Sequence, residues 1–366
     1  MKHNIFLVKP ASSLCNLRCR YCFYEDEANN RQCKSMGIMT KPVMDALIEK
    51  AFDATDAGGS IHFLFQGGEP TLAGLDFFRA FLEKERTIQK NITVSHSIQT
   101  NGMVLDDQWA DFFHANQFLV GLSLDGCQEN HDRYRVDTAG NGTWEQVTRA
   151  LQILDAHQVE TNLLCVVTAQ GAKKPQKLYR QLTALGNHNL QFIPCLDPLE
   201  SMPQAYSLTA ESYGHFLCGL FDCWYRDFSA GKYISIRNFE DYLRILLGMP
   251  PSSCAASGSC GHYLTVEADG SLYPCDFYVL DPWNMGNILH DTVEQALASP
   301  VSQAFLTQGL NRPPECTQCS YRRMCRGGCK RDWDAQGHNS LCAAFRQFFP
   351  YALPRLQAAA GKLAKR

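Results

Sequence analysis

The sequence predicts an α/β protein in two parts, an open, partial barrel of six βα units over residues 1–235 and a smaller cysteine-rich domain over residues 236–366 that ends in a helix. Two observations carry this. Short β-rich runs alternate with amphipathic helical patterns up to about residue 230, as in a parallel sheet. After about residue 235 the alternation fades, Gly, Pro and Ser rise between Gly248 and Ser259, and cysteines recur through Cys342.

The strands are expected at Ile5 to Lys9, Ile61 to Phe65, Val94 to Gln99, Phe118 to Leu122, Asn162 to Val167 and Leu190 to Pro194. Helices follow from near Thr40, Leu75, Asp106, Thr143, Lys174 and Thr209, several with a Thr or Asp cap ahead of apolar residues three and four apart. Val43, Leu47, Ala51 and Met44, Ile48, Phe52 line one such face. Six units suit an open (β/α)6, TIM-like barrel better than the closed eight-unit form, and functional groups then belong at the C-terminal ends of the strands. The stretch from Phe345 to Arg366 reads as a helix with a basic end.

Composition narrows the class. With 366 residues, 45% of them hydrophobic, the chain can bury a substantial core. A net charge of −3 without long single-sign blocks gives no footprint for nucleic acid or a polybasic membrane contact. No secretory h-region or long apolar span is visible, so a cytoplasmic protein is expected. In that reducing compartment 17 cysteines, an odd number, point to metal binding or catalysis rather than disulfides.

Cys15, Cys19 and Cys22 form C-x3-C-x2-C in the loop after the first strand. A zinc knuckle would want a fourth Cys or His nearby, and between Lys2 and Met39 only His3 and Cys33 qualify. Three thiolates on a cubane cluster instead leave one iron open to a small molecule. Downstream, Cys254, Cys260, Cys275, Cys316, Cys319, Cys325, Cys329 and Cys342 supply eight more thiols, enough for two fully ligated clusters or two four-thiolate zinc sites. Cys33, Cys127, Cys165, Cys195, Cys218 and Cys223 have no cluster spacing and read as core or surface thiols.

The run from Cys15 to Tyr24 resembles the signature of radical S-adenosylmethionine enzymes, and Gly67-Gly68-Glu69-Pro70 after the second strand is similar to that superfamily's cofactor turn. The resemblance implies that the open iron holds S-adenosylmethionine and that its reductive cleavage yields a 5′-deoxyadenosyl radical. By the same resemblance Tyr21, Gly68, Ser123, Arg135 and Leu196 contact the cofactor. The C-x2-C-x5-C-x3-C run from Cys316 to Cys329 resembles the SPASM extension of radical enzymes that modify peptides. That pattern implies three 4Fe-4S clusters in all, with Cys254, Cys260, Cys275 and Cys329 on one auxiliary cluster and Cys316, Cys319, Cys325 and Cys342 on the other.

Lys9 to Ser13, Phe65 to Leu72, Gln99 to Gly102, Cys195 to Leu199 and Tyr273 to Tyr278 narrow the resemblance to the anaerobic sulfatase-maturating enzymes. It implies oxidation of a Cys or Ser side chain, in an unfolded sulfatase segment of C/S-x-P/A-x-R type, to formylglycine. Such chemistry needs a base, and the family places it at Asp276, directly after cluster ligand Cys275. Tyr24 and Gln66 are expected to face the peptide. A flavodoxin or ferredoxin is the expected electron donor, since no flavin or nicotinamide fingerprint is present, and the protein is expected to be a monomer. The alternative within the same superfamily is a SPASM maturase that makes thioether or carbon–carbon crosslinks. Against it, the first strand starts at residue 5 and leaves no room for a leader-peptide domain.

Overall fold

The computed structural model describes residues 1–199 and 202–364. The chain divides into two packing units. The first comprises Met1–Ser123, Arg135–Thr161 and Gly261–Thr307, and the second Leu124–Tyr134, Asn162–Cys260 and everything from Gln308 onward.

Six βα units run in the expected order: β1 (His3–Val8) with α2 (Lys41–Asp53), β2 (Ser60–Phe65) with α3 (Leu75–Arg86), β3 (Thr93–Thr100) with α4 (Asp107–Ala115), β4 (Leu119–Ser123) with α6 (Trp144–Ala156), β5 (Thr161–Val167) with α7 (Pro175–Ala184), and β6 (Asn189–Pro194) with α8 (Ala210–Ser229). Their caps are those the sequence offered. Thr40 precedes α2, Asp106 accepts from the Trp109 amide at 3.0 Å and Thr209 from the Ser212 amide at 3.2 Å, each supplying an acceptor to a first-turn N–H or the extended entry a helix start needs.

Within the six βα units two short helices escaped the periodicity. These are α1 (Phe23–Asn29), seven residues rich in Glu, Asp and Asn, and α5 (Gln128–Tyr134).

In the first unit the strands lie in the order β4, β3, β2, β1, then β8 (Leu264–Val266) and β9 (Leu272–Tyr273). Strands β1 to β4 are parallel, β8 joins β1 in parallel, and β9 returns antiparallel. Val8 therefore stands between Phe65 and Val266 at the C-terminal end of β1. That register delivers the loop after β1, the turn after β2 and the turn between β8 and β9 to one end of the sheet. Alternate residues of β2, Ile61, Phe63 and Phe65, are buried and meet Phe78 and Phe81 of α3, with the Phe65 ring 5.0 Å from Phe78 and 5.1 Å from Phe81 in edge contacts.

In the second unit β5, β6 and β7 (Ser235–Ile236) are parallel. Helix α8 packs on a helix spanning Cys342–Leu363, which starts three residues before the expected Phe345. Phe221 of α8, Phe239 of α9 (Arg237–Leu246) and Phe348 of that last helix share one aromatic core. The approach is close enough that a Cβ at Gly214 would fall 3.2 Å from the Cα of Ala344.

Candidate functional site

The cysteine loop after β1 is tied down by backbone and by one buried carboxylate. The amides of Gly68 and Glu69 donate to the carbonyls of Ser12 and Leu14 at 2.9 and 2.7 Å. This approach requires glycine, since a Cβ at Gly68 would lie 2.2 Å from the Leu14 carbonyl oxygen. Glu69 is buried and accepts from the Thr71 amide and hydroxyl, the Thr100 hydroxyl and the Asn101 amide. Asn101 in turn donates to Asn16 Oδ1 at 2.8 Å and to Cys15 Sγ at 3.7 Å. A single carboxylate thus fixes the ends of β2 and β3 against the cysteine loop; burial pushes its pKa up, and the bonds it accepts from Asn101, Thr71 and Thr100 oppose that rise without cancelling it.

Cys22 is the N-cap of α1, and its own amide donates to the Cys19 carbonyl at 3.1 Å. Burial raises the Cys22 thiol, while the amides of Glu25 and Tyr24 and the Arg135 guanidinium favour the thiolate. Cys15 is pushed up to about 11 by burial and by the neighbouring charges of Glu69 and Cys22, with the Leu17 amide opposing. The Arg135 guanidinium lies 5.5 Å from the centre of the Tyr21 ring, and both residues are buried. Gln99 donates to the Ser123 hydroxyl at 2.9 Å. Tyr21, Gly68, Ser123 and Arg135 thus all belong to the first unit with the three cysteines, and Leu196 follows β6 in the second.

Asp276 opens a short 3₁₀ turn after β9 and is 3% exposed. Its Oδ2 accepts from the Tyr24 hydroxyl at 2.7 Å and the Gln66 amide at 3.2 Å. Its Oδ1 is equally buried and has no hydrogen-bond partner among the described residues. Burial pushes Asp276 up to about 6, with Lys9 and the Tyr24 hydrogen bond opposing. Tyr24 and Gln66, expected to face the peptide, both donate to this carboxylate.

Sequence reasoning missed the charges beneath it. Lys9, fully buried at the end of β1, lies 3.3 Å from Glu267 and 4.0 Å from Glu27, with its ammonium 5.1 Å from the Tyr24 ring centre. Arg31 pairs with Glu267 at 2.8 Å. Burial alone would raise Glu267, but Lys9 and Arg31 overcome it and hold the group below its ordinary value. Glu27 has the weaker pairing and is pushed up to about 8 by burial, although the Lys9 charge works against it. Two cations therefore face three carboxyls, Glu27, Glu267 and Asp276, and near neutral pH the group retains about one proton. A lysine closing an apolar strand was the one signal in the sequence.

In the second unit Cys316, Cys319, Cys325 and Cys342 lie within electrostatic reach of one another, and Cys254 of Cys260. The Arg331 amide donates to Cys329 Sγ at 3.4 Å. Cys275 belongs to the first unit, where it meets the Tyr263 hydroxyl at 3.5 Å. Among the described residues no three His, Cys, Asp or Glu side chains converge as a single ion would require. Sets of neighbouring thiols with no other donor type among them suit a 4Fe-4S cluster. Of the remaining cysteines, Cys127, Cys165, Cys195 and Cys223 are buried, Cys218 is half-buried and Cys33 is exposed.

The radical SAM superfamily matches residues 10–182, and the SPASM iron–sulfur cluster-binding domain matches residues 258–320. A cysteine-type anaerobic sulfatase-maturating enzyme of Clostridium novyi is 42% identical over the whole of both chains. A serine-type enzyme of Klebsiella aerogenes is 34% identical over 96% of this chain and 85% of its own. The solved structure of native anSMEcpe with bound AdoMet and Cp18Cys peptide superposes with a TM-score of 0.92 at 41% identity over 99% of each chain.

Proposed function

Since this chain belongs to the anaerobic sulfatase-maturating enzymes, which pair S-adenosylmethionine with 4Fe-4S clusters, we propose that it oxidises a cysteine side chain of an unfolded sulfatase segment to formylglycine. The observation that carries this is Asp276. A buried carboxylate with one oxygen held by two donors and the other without a donor among the described residues suits a base kept for a proton that arrives with the substrate. The preference for cysteine over serine is supported by the higher identity to cysteine-type than to serine-type relatives.

Cys15, Cys19 and Cys22 would hold the cluster that binds S-adenosylmethionine, with Tyr21, Gly68, Ser123, Arg135 and Leu196 around the cofactor. Cys254, Cys260, Cys275 and Cys329 would hold one auxiliary cluster, and Cys316, Cys319, Cys325 and Cys342 the other. When bound, these groups supply the agent that takes a hydrogen atom from the substrate Cβ and the acceptor for one further electron. The chain's own part is the proton. Tyr24 and Gln66 orient Asp276, and Oδ1 accepts the proton as the carbon–sulfur bond becomes a thioaldehyde, which water converts to the aldehyde with release of hydrogen sulfide. Lys9 lies close enough to stabilise the carboxylate before that step and Glu27 to keep the surrounding charge near balance.

Functionally the chain is read as a barrel over residues 1–235 and an auxiliary-cluster domain over 236–366, a division by role and not by packing. A flavodoxin or ferredoxin donor, a monomeric state and a cytoplasmic location complete the reading. No helix among the described residues is long and apolar enough to cross a membrane.

The test is anaerobic incubation of the cluster-loaded, reduced protein with S-adenosylmethionine and matched Cys and Ser peptides of C/S-x-P/A-x-R type, read by mass spectrometry. Formylglycine from the Cys peptide with 5′-deoxyadenosine is the expected result. A thioether or carbon–carbon crosslink would move the chain to the maturases, and 5′-deoxyadenosine with every peptide unchanged would overturn the substrate assignment.

A further inference from the structure

The positive charges around the auxiliary thiols are unevenly shared. Arg237 faces Cys254 and Lys330 faces Cys260, each acting on one set of thiols. Arg312 faces Cys260 of one set together with Cys316 and Cys325 of the other. Its placement is fixed by an unusual number of bonds. One terminal nitrogen donates to the Gly258 carbonyl at 2.6 Å, in the loop between Cys254 and Cys260. The other donates to Gly309 at 2.7 Å, and Nε donates to Arg326 at 3.1 Å, directly after Cys325.

The guanidinium also lies 4.1 Å from the centre of the Trp333 ring, and the Trp333 indole donates to the Gly327 carbonyl at 2.9 Å. Glycines make the room. A Cβ at Gly327 would fall 2.2 Å from Arg312 Nε, and one at Gly258 would fall 2.4 Å from the Arg326 carbonyl oxygen, at φ values of +90° and +68°. A planar five-donor fork suits this position, where a lysine would supply the charge without the three-point grip.

We propose that Arg312 is a positioning residue common to both auxiliary sites, a fixed cation that clamps the two cysteine loops together and raises the reduction potentials of both clusters. The argument rests on the ligand assignment given above. One-electron reduction adds a negative charge to each cluster, and a partly buried cation nearby stabilises that charge with little screening. A purely structural arginine would leave the potentials alone.

The test uses the full chain with Cys15, Cys19 and Cys22 replaced by Ala, reconstituted anaerobically, so that only the auxiliary clusters give electron paramagnetic resonance signals during a redox titration. Two clusters' worth of iron in this background is required by the ligand assignment, and less would defeat that assignment before Arg312 is touched. With both clusters present, Arg312→Gln is expected to lower the reduced-to-oxidised ratio of each at fixed potential about tenfold, or 59 mV for a one-electron couple. Arg312→Lys is expected to keep both potentials close to the parent. Unchanged potentials in the Gln variant overturn the proposal, as does an equal fall in the Lys variant. Should the Gln variant fail to retain iron, the Lys variant decides alone: clusters at parental potentials support the proposal, and lost clusters or shifted potentials overturn it.

Discussion

Replacing Glu27 by Gln keeps the shape and the oxygen that accepts from the Val279 amide at 2.8 Å, but removes a titrating group from the buried ion cluster. In the native protein Glu27 is pushed from its ordinary 4.5 up to about 8 by burial, with Lys9 opposing and Asp276 adding to the rise. A carboxyl whose folded pKa is raised holds its proton more tightly in the folded state. Stability from this source is therefore complete below about 4.5 and is lost as pH climbs through about 8.

At ~1.36 kcal/mol per pH unit that interval amounts to about 5 kcal/mol. This is a ceiling, because the neighbouring carboxyls can take up part of the change. The Gln variant has no such slope, so its unfolding midpoint should match the parent near pH 5, exceed it increasingly up to about pH 8 and keep a constant lead above that. Infrared difference spectroscopy on the cluster-loaded protein reads the group directly, as a protonated carboxyl band that disappears near pH 8 in the parent and is missing from the variant. Parallel stability curves from pH 5 to 9, with the band unchanged by the substitution, would refute the shared-proton account.

Tyr24→Phe deletes the 2.7 Å hydrogen bond to Asp276 while leaving Gln66 in place. A bond to a charged acceptor is worth ~1.5–3 kcal/mol, so formylglycine formation should fall roughly ten- to a hundredfold with cofactor cleavage continuing, seen as a rising ratio of 5′-deoxyadenosine to oxidised peptide. Asp276→Asn should slow peptide oxidation by roughly 10²–10⁴-fold at unchanged iron content, and near-native turnover would remove Asp276 from the reaction. Gly68→Ala drives a Cβ into the Leu14 carbonyl and should cost the protein one cluster's worth of iron and its cleavage of S-adenosylmethionine, both measurable without peptide. Phe65→Ala, at a fully buried position between Phe78 and Phe81, should destabilise by ~3–5 kcal/mol in denaturant melts with the auxiliary cysteines undisturbed.

The helices and strands that were legible have local causes. Thr40, Asp106 and Thr209 cap within their own turns, and Ile61, Phe63 and Phe65 alternate within one strand. What escaped depends on distance along the chain. Arg31 meets Glu267 across 236 residues, and Tyr24 meets Asp276 across 252. Each of these residues, taken singly, reads as an ordinary polar side chain. Strand β8 is three residues long and acquires its identity from Phe6, Leu7 and Val8 alongside it, which no window on Leu264–Val266 contains. The carboxylate proposed as the base, Asp276, is legible through its neighbours in sequence. The bonds from Tyr24 and Gln66 to it were not legible, because nothing near either residue in sequence betrays a bond to position 276.

The bonds that fasten the first cysteine loop also bear on how the protein acquires iron. Between Cys15 and Cys22 the backbone is ordered by the Ser12 and Leu14 carbonyls, by Asn101 and by the pairing of Arg18 with Val136, all of them protein-to-protein contacts. Ordering a residue costs ~1–2 kcal/mol, so eight residues left loose would subtract on the order of 10 kcal/mol from the affinity for a cluster. Here that cost is met when the sheet folds. A cluster held by Cys15, Cys19 and Cys22 would then enter a socket that the fold has already ordered.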